Sequence, residues 1–356
     1  MKPAGEKSIR VLVVDDSRVV AEFLTHVLNS DPQIQVVGTA SDGREALEAV
    51  ERTKPDVITM DIHMPRMDGF EATRRIMETY PTPIVIVSGT ASIHEVATNF
   101  KALEAGALAV AARPDGIGHV NYDRSAKQLV ETVKLMSEVK VVKRWLRAKP
   151  CPSPADTARL AAIVPSGLPI HVVAIGASTG GPVVLQTIFS RLPKNFPVPV
   201  LVVQHMTPGF TGGFVEWLSD SSGFPTHVAA AGESLLPGHA FVAPDDFHMG
   251  VSRDRRIVLT KDKRENGMRP AASWLFRSVE AVFGQNAVGV LLTGMGVDGV
   301  EELKKLREAG AVTIAQDEET SVVHGMPGQA IKVGAAIHIL SPESIAKMLG
   351  TLATKA

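Results

Sequence analysis

His171-Val172-Val173-Ala174-Ile175-Gly176-Ala177-Ser178-Thr179-Gly180-Gly181-Pro182 is the stretch on which the reading of this chain turns. An apolar run of strand length breaks into small residues and glycines, and an apolar helical pattern follows through Val183, Val184, Thr187 and Ile188. The segment reads as strand, tight turn, helix, with Ser178 at the bend. Gly176-Ala177-Ser178-Thr179-Gly180 fits G-x-S-x-G, a turn whose small neighbours hold a serine hydroxyl clear of the backbone at a helix N-terminus. Gly176-x-Ser178-x-x-Gly181 also approximates a dinucleotide-binding turn, and a glycine-rich strand-to-helix loop is often only a tight connection. Taken alone, the turn fits nucleophile, phosphate cradle and plain connection equally well.

The 356 residues correspond to about two domains, each large enough for its own core. Hydrophobic content of 45% against 21% charged residues describes a soluble globular protein. A net charge of -1 gives no global field to recruit nucleic acid or acidic lipid. The single cysteine, Cys151, excludes an internal disulfide framework and any multi-cysteine metal site. Met1 to Arg10 is polar, and no apolar run approaches the roughly 20 residues of a membrane span, so a cytoplasmic protein without membrane insertion is expected.

Upstream, from Ile9 to about Pro114, apolar runs at Val11–Val14, Val36-Val37, Val57–Met60, Ile84–Val87 and Ala107–Val110 alternate with helical patterns. Five strands with intervening helices imply a doubly wound parallel sheet. Polar residues fall just past its strand ends, where such sheets carry function: Asp15-Asp16 after the first run, Asp61 after the third, Ser88 closing the fourth. Three converging carboxylates suit a hard cation such as Mg²⁺; as helix caps or solvated loop acids, three at equivalent strand ends would be unusual.

These segments resemble the receiver domain of two-component response regulators: Val13-Val14-Asp15-Asp16-Ser17, the run from Met60-Asp61 to Asp68-Gly69, and Val87-Ser88-Gly89. The resemblance covers roughly residues 8–125. It implies that Asp61 accepts a phosphoryl group from a histidine kinase, that Asp15, Asp16 and Asp61 hold Mg²⁺, and that the Ser88 hydroxyl meets a phosphoryl oxygen. Arg113-Pro114 stands where the family has lysine before proline, and Val110 where it often has an aromatic residue. Arginine keeps the charge but is bulkier and planar, which bears on how phosphorylation is signalled.

After Pro114 a helical stretch carries Leu129, Val133, Met136, Val139 and Trp145-Leu146, with a basic end at Lys140, Lys143, Arg144, Arg147 and Lys149 that reads as a solvated face. Pro150, Pro152, Pro154, Pro165 and Pro169 mark a linker, so residues 126–167 are expected as helical extension and linker. Residues 168–354 form a second domain, with apolar runs at Val172–Ile175, Val198–Val203, Ala240–Ala243, Ile257–Leu259, Ala287–Leu292 and Val312–Ala315. These describe a second α/β domain, doubly wound and rich in parallel pairing.

Placement then separates the readings of the Ser178 turn. A dinucleotide fold wants an acid about 20 residues on, whereas this chain has Gln204-His205 at the next strand end. A serine nucleophile wants a histidine there, because a hydroxyl attacks poorly until a base takes its proton. Leu291-Leu292-Thr293-Gly294-Met295-Gly296-Val297-Asp298-Gly299 supplies an acid, Asp298, to orient the imidazole, and its glycine-rich turn supplies N–H groups for an oxyanion. Structural readings remain for each: a lone histidine is commonly structural, and Asp298 could cap the following helix. His248, beside Asp245 and Asp246, is a weaker rival base.

At these residues the chain is similar to the catalytic domain of the chemotaxis-type protein-glutamate methylesterase, which follows a receiver domain in the same order. The similarity rests on Ile175–Pro182, Gln204–Phe210, Leu292–Gly299 and Gly325-Met326-Pro327. It implies hydrolysis of glutamate γ-methyl esters on methyl-accepting chemotaxis receptors, releasing methanol, with deamidation of receptor glutamines. Ser178 is then the nucleophile, His205 the base and acid, Asp298 its orienter, the Met295 backbone N–H part of the oxyanion hole, and Thr179 a lining residue. Hydrolysis needs no cofactor; receptors and a chemotaxis histidine kinase are the implied partners. Asp245 stands where the family favours glycine, and Ala271-Ala272-Ser273 is less polar than usual. A methylesterase-like docking module of a non-flagellar pathway is the alternative, while a DNA-binding regulator lacks a helix-turn-helix and a basic face.

Overall fold

The computed structural model describes residues 8–89, 93–139, 141 and 169–353. Cys151, Trp145-Leu146, the basic end from Lys140 to Lys149 and most of the expected linker lie outside the described residues. The chain divides into two units, Met1–Arg147 and Ala148–Ala356.

The first unit alternates β1 (Ile9–Val14), α1 (Arg18–Asn29), β2 (Ile34–Ala40), α2 (Gly43–Thr53), β3 (Val57–Met60), α3 (Gly69–Thr79), β4 (Ile84–Ser88), α4 (Ile93–Glu104), β5 (Ala109–Ala112) and α5 (Tyr122–Ser137). Its sheet runs β2-β1-β3-β4-β5, and every pairing is parallel. The strand order reverses between β1 and β3, the place where such sheets open a crevice at their C-terminal edge. Val11–Val14 of β1 and all of β3 are buried without alternation because helices cover both faces. Strand β5 sits two residues later than its apolar run predicts: Ala107 is buried in the preceding loop, and pairing begins at Val85 with Ala109. Helix α5 ends at Ser137; the part of the helical stretch read from the sequence at Trp145-Leu146 lies outside the described residues.

The second unit contains β6 (Val172–Ala177), α6 (Gly181–Phe189), β7 (Val200–Gln204), α7 (Thr211–Ser222), β8 (Thr226–Val228), β9 (Ala240–Val242), β10 (His248–Val251), β11 (Ile257–Thr260), α8 (Ala272–Phe283), a 3₁₀ turn (Gly284–Asn286), β12 (Ala287–Leu291), α9 (Val300–Glu308), β13 (Val312–Gln316), α10 (Met326–Lys332), β14 (His338–Leu340) and α11 (Pro342–Ala353). Seven parallel strands run β14-β13-β12-β6-β7-β9-β8. Helix α6 packs with α7 and α11, while α9 packs with α8 and α10, consistent with two covering layers. The 257–259 run, read as a strand of the main sheet, instead pairs antiparallel with β10 in a separate hairpin. The three central strands β6, β7 and β12 are buried throughout. From β6 the chain builds outward through β7 towards β9 and β8, then crosses back to β12 on the other side of β6 and builds outward through β13 and β14, so the β6/β12 boundary is this unit's switch point.

Candidate active site and receiver centre

The ladder carries Ser178 and His205 to the same edge. Ala177 of β6 pairs with Gln204 of β7, and one further rung, His205 N–H to Ala177 O at 2.9 Å, extends the pairing past the strands. On the other flank, Ser178 N–H donates to Thr293 O at 3.0 Å beyond the end of β12. The Gln204 amide then ties serine loop to histidine loop, donating from Nε2 to Ser178 O and to His205 O, each at 2.8 Å. The glycines answer to this geometry. Gly180, at φ +80°, is the N-cap of α6, and a Cβ on Gly181 would lie 2.1 Å from Gln204 Oε1.

His205 Nε2 lies 2.9 Å from Asp298 Oδ2. A carboxylate only accepts, so Nε2 carries the proton and the lone pair is left on Nδ1, which is buried with no hydrogen-bond partner among the described residues. The lone pair that could accept a proton is therefore on Nδ1. Asp298, 3% exposed, is held by donors on every side. Oδ2 also accepts from Ala272 N–H at 2.6 Å, and Oδ1 accepts from Ser273 N–H at 3.1 Å and Asn266 Nδ2 at 3.3 Å. Burial is the largest influence and raises its pKa, but the His205 contact and the α8 donors outweigh it and bring the carboxyl to about 2. Asp298 does cap a helix, but it is α8 rather than α9, which follows it and has Gly299 at its N-cap. A charge at the α8 N-terminus is also favoured by the helix dipole.

Above the serine, the Thr293–Gly296 turn passes so close that a Cβ on Gly294 would lie 2.6 Å from Ser178 Cβ. Gly294 O accepts from Gly325 N–H at 3.1 Å and Met326 N–H at 2.8 Å, which fixes the turn against the Gly325-Met326-Pro327 segment. Met295 comes directly after, with its side chain exposed. Thr179 is held by its carbonyl, which accepts from Thr293 Oγ1 at 2.9 Å. His248 is no rival base: it begins β10 rather than following a strand, is fully buried, stacks on Trp274 and has Nε2 3.0 Å from Lys263 O. Asp245, the departure from glycine, reaches back to the loop after His205, accepting from Gly209 N–H at 2.8 Å and Thr211 Oγ1 at 2.5 Å.

In the first unit, Val14 pairs with Met60, so Asp15 and Asp61 emerge side by side at the switch point. Asp61 N–H donates to Val14 O at 2.9 Å. Burial, then repulsion from Asp61 and Asp16, push the Asp15 carboxyl up to about 6 against the opposing pull of the Ser17 N–H and Arg113. Burial foremost, and repulsion from Asp16, also raise Asp61. Among the described residues no group of three or more aspartate, glutamate, histidine or cysteine side chains is arranged to hold a metal ion. Arg113 reaches over this edge: a Cβ on Gly89 would lie 2.9 Å from its Nη2. Ser88 Oγ donates to Gly89 O at 3.1 Å and accepts from Asn99 Nδ2 at 2.7 Å. Asn99 is 1% exposed, and its Oδ1 has no partner among the described residues. Sequence reading missed Asn99, Asn266 and the clamping role of Gln204. Asn266-Gly267 signals a turn but not its neighbour Asp298, and a lone polar residue inside a helical pattern signals nothing about Ser88.

Residues 173–349 match the CheB methylesterase family and residues 11–114 the response regulator receiver domain. A protein-glutamate methylesterase/protein-glutamine glutaminase of Nitrosospira multiformis is 56% identical over 97% of each chain. One from Geobacter metallireducens is 58% identical over 97% of this chain and 99% of the relative. The crystal structure of the Thermotoga maritima CheB methylesterase catalytic domain superposes with a TM-score of 0.50 at 39% identity, covering 51% of this chain and 98% of that domain. With near-complete coverage at such identity, and a receiver centre and a serine–histidine–aspartate edge in the expected order, the chain belongs to the family of receiver-linked protein-glutamate methylesterases/protein-glutamine glutaminases.

Proposed function

We propose that the second unit is a serine hydrolase that removes γ-methyl esters from glutamate residues of methyl-accepting chemotaxis receptors, and deamidates receptor glutamines, under control of phosphorylation at Asp61. The observation that carries this reading is the ring of His205: Nε2 is committed to Asp298, and Nδ1 is free one strand away from Ser178. Nδ1 takes the Ser178 proton as Oγ attacks the ester carbonyl, and Asp298 stabilises the imidazolium that results. The oxyanion is held by backbone N–H groups of the turn above the serine, Met295 N–H among them, with Thr179 lining the site. Imidazolium then protonates the leaving methoxide, methanol departs, and water activated by the same Nδ1 releases the glutamate carboxylate from the acyl-enzyme. A glutamine substrate takes the same course with ammonia leaving.

In the first unit Asp61 is the phosphoacceptor for a chemotaxis histidine kinase. Asp15, Asp16 and Asp61 would hold Mg²⁺; their mutual repulsion and the burial-raised Asp15 and Asp61 fit such an ion. When bound, Mg²⁺ supplies positive charge to the transferring phosphoryl group. Ser88 and Arg113 would meet phosphoryl oxygens. The test is methanol release from methylated receptor membranes by wild type, Ser178→Ala and Asp61→Asn, with and without a small phosphodonor. Loss in the first variant and loss of phosphodonor response in the second are expected; wild-type turnover by Ser178→Ala would refute the nucleophile. Comparison with a fragment beginning near Leu168 measures whether the receiver restrains the esterase.

A further inference from the structure

We infer that Asn266 is a positioning residue of the hydrolase, acting through Asp298; this rests on Ser178, His205 and Asp298 being the hydrolytic triad. The residue lies at the tip of a tight hairpin. Glu265 and Met268 bridge each other, and Asn266 and Gly267 between them both have positive φ, 50° and 77°. Asparagine and glycine in sequence are the residues such a turn favours, which explains the backbone but not the side chain. The side chain turns inward instead. Nδ2 lies 3.3 Å from Asp298 Oδ1 and 3.3 Å from Ser273 Oγ. The carboxylate decides which way the amide points, since its other end would set oxygen against oxygen.

The hairpin is clamped at both ends. Glu265 forms an ion pair with Arg277 of α8, and Arg269 donates to Lys261 O at 2.7 Å, to Asp262 O at 2.9 Å and to Asp246. Helix α8 gives Asp298 its two N–H donors, so the Arg277–Glu265 pair holds the turn to the same helix that seats the acid. Ser273 Oγ, which also accepts from Gly299 N–H at 2.9 Å, links Asn266 to the chain just beyond Asp298. Each carboxylate oxygen thereby has two donors: Oδ2 has Ala272 and His205, Oδ1 has Ser273 and Asn266. Asn266 supplies the one that closes the acid from the loop side, fixing the carboxylate plane and through it the direction of His205 Nδ1.

Two substitutions in the full-length protein separate this role from the turn. Asn266→Gly keeps a residue at ease with φ +50° and deletes the donor. Asn266→Asp keeps the turn and the shape but places a second carboxylate beside the first. The inference predicts a fall in kcat of about tenfold for Asn266→Gly with KM little changed, the effect of one lost charge-assisted hydrogen bond. For Asn266→Asp, two carboxyls this close share a proton, so a carboxylic O–H takes the place of the amide donor and kcat stays nearer wild type than in Asn266→Gly. In Asn266→Gly the lost donor leaves more charge on the Asp298 oxygens facing imidazolium, so the acid limb of the pH–rate profile and the NMR titration of the His205 ring, assigned with His205→Ala and needing no substrate, both move to higher pH. Wild-type kcat or an unmoved His205 titration in Asn266→Gly overturns the inference, whatever happens to thermal stability. If wild type releases no methanol, the functional reading fails, while the titration still decides the role of Asn266.

Discussion

Replacing Asp298 by asparagine preserves the side chain's shape, and the four donors around it determine the outcome. His205 Nε2 and Ala272 N–H meet Oδ2; Ser273 N–H and Asn266 Nδ2 meet Oδ1. An amide has one accepting oxygen and one NH₂, so in either orientation the NH₂ faces two donors, one of them a backbone N–H of α8 that cannot turn away. Facing His205, it forces Nε2 to accept, moves the ring proton to Nδ1 and removes the base. Facing Asn266, it preserves the tautomer and loses the charge that stabilises imidazolium. The same change in the chymotrypsin-like triad costs about 10⁴-fold, and kcat/KM for methanol release is expected to fall about 10³- to 10⁴-fold here.

Stability falls too. An orphaned backbone N–H costs about 1–3 kcal/mol. A carboxyl at about 2 in the folded chain against 3.8 unfolded contributes about 2 kcal/mol at neutral pH. Because these contributions overlap, the total loss is about 2–4 kcal/mol. The folded pKa is the lower one, so this contribution is complete above 3.8 and disappears as pH falls through about 2. Urea unfolding of the esterase unit should therefore show a gap between wild type and variant at neutral pH that narrows on acidification. A kcat/KM within about tenfold of wild type, or a gap that widens in acid, would refute the reasoning.

Gly181→Ala puts a Cβ 2.1 Å from Gln204 Oε1, so the amide must leave Ser178 O and His205 O; kcat should fall while secondary structure, read by circular dichroism, is kept. Asp245→Gly removes two hydrogen bonds that hold the α7 entry, a loss of about 1 kcal/mol, and calorimetry should show Tm lower by about 2–4 °C. Asn99→Leu frees Ser88 from its 2.7 Å contact and removes a buried, unpartnered oxygen. If Ser88 must swing to a phosphoryl oxygen, losing about 1 kcal/mol of restraint should lower the phosphodonor concentration for half-maximal activation by about fivefold. An unchanged titration would assign Asn99 to packing alone.

The elements legible in the sequence are those with a strong period. Apolar runs of β1, β3, β6, β7 and β12 are continuous because both sheet faces are covered, and Asp15, Asp61, Ser178 and His205 come directly after their ends. The weaker signals concern edges and loops. Strands β8 and β14 are three residues long, too short for a pattern, and β11 looks like a strand of the main sheet because antiparallel hairpins use the same residues. Asn266, Asn99 and Asp245 act through partners 32, 11 and 36 residues away, a distance that no local pattern encodes.

The spacing of the triad along the chain bears on how the protein comes into being. His205 and Asp298 are 93 residues apart and meet only after β7 and β12 have both paired with β6. Such pairings close large loops and form slowly. The receiver, whose described elements end at Ser137, emerges from the ribosome complete before β6 has been made. During synthesis the chain therefore passes through a stage at which it has its receiver but not its hydrolase, and the meeting of His205 with Asp298 waits on long-range pairing rather than on the appearance of helices.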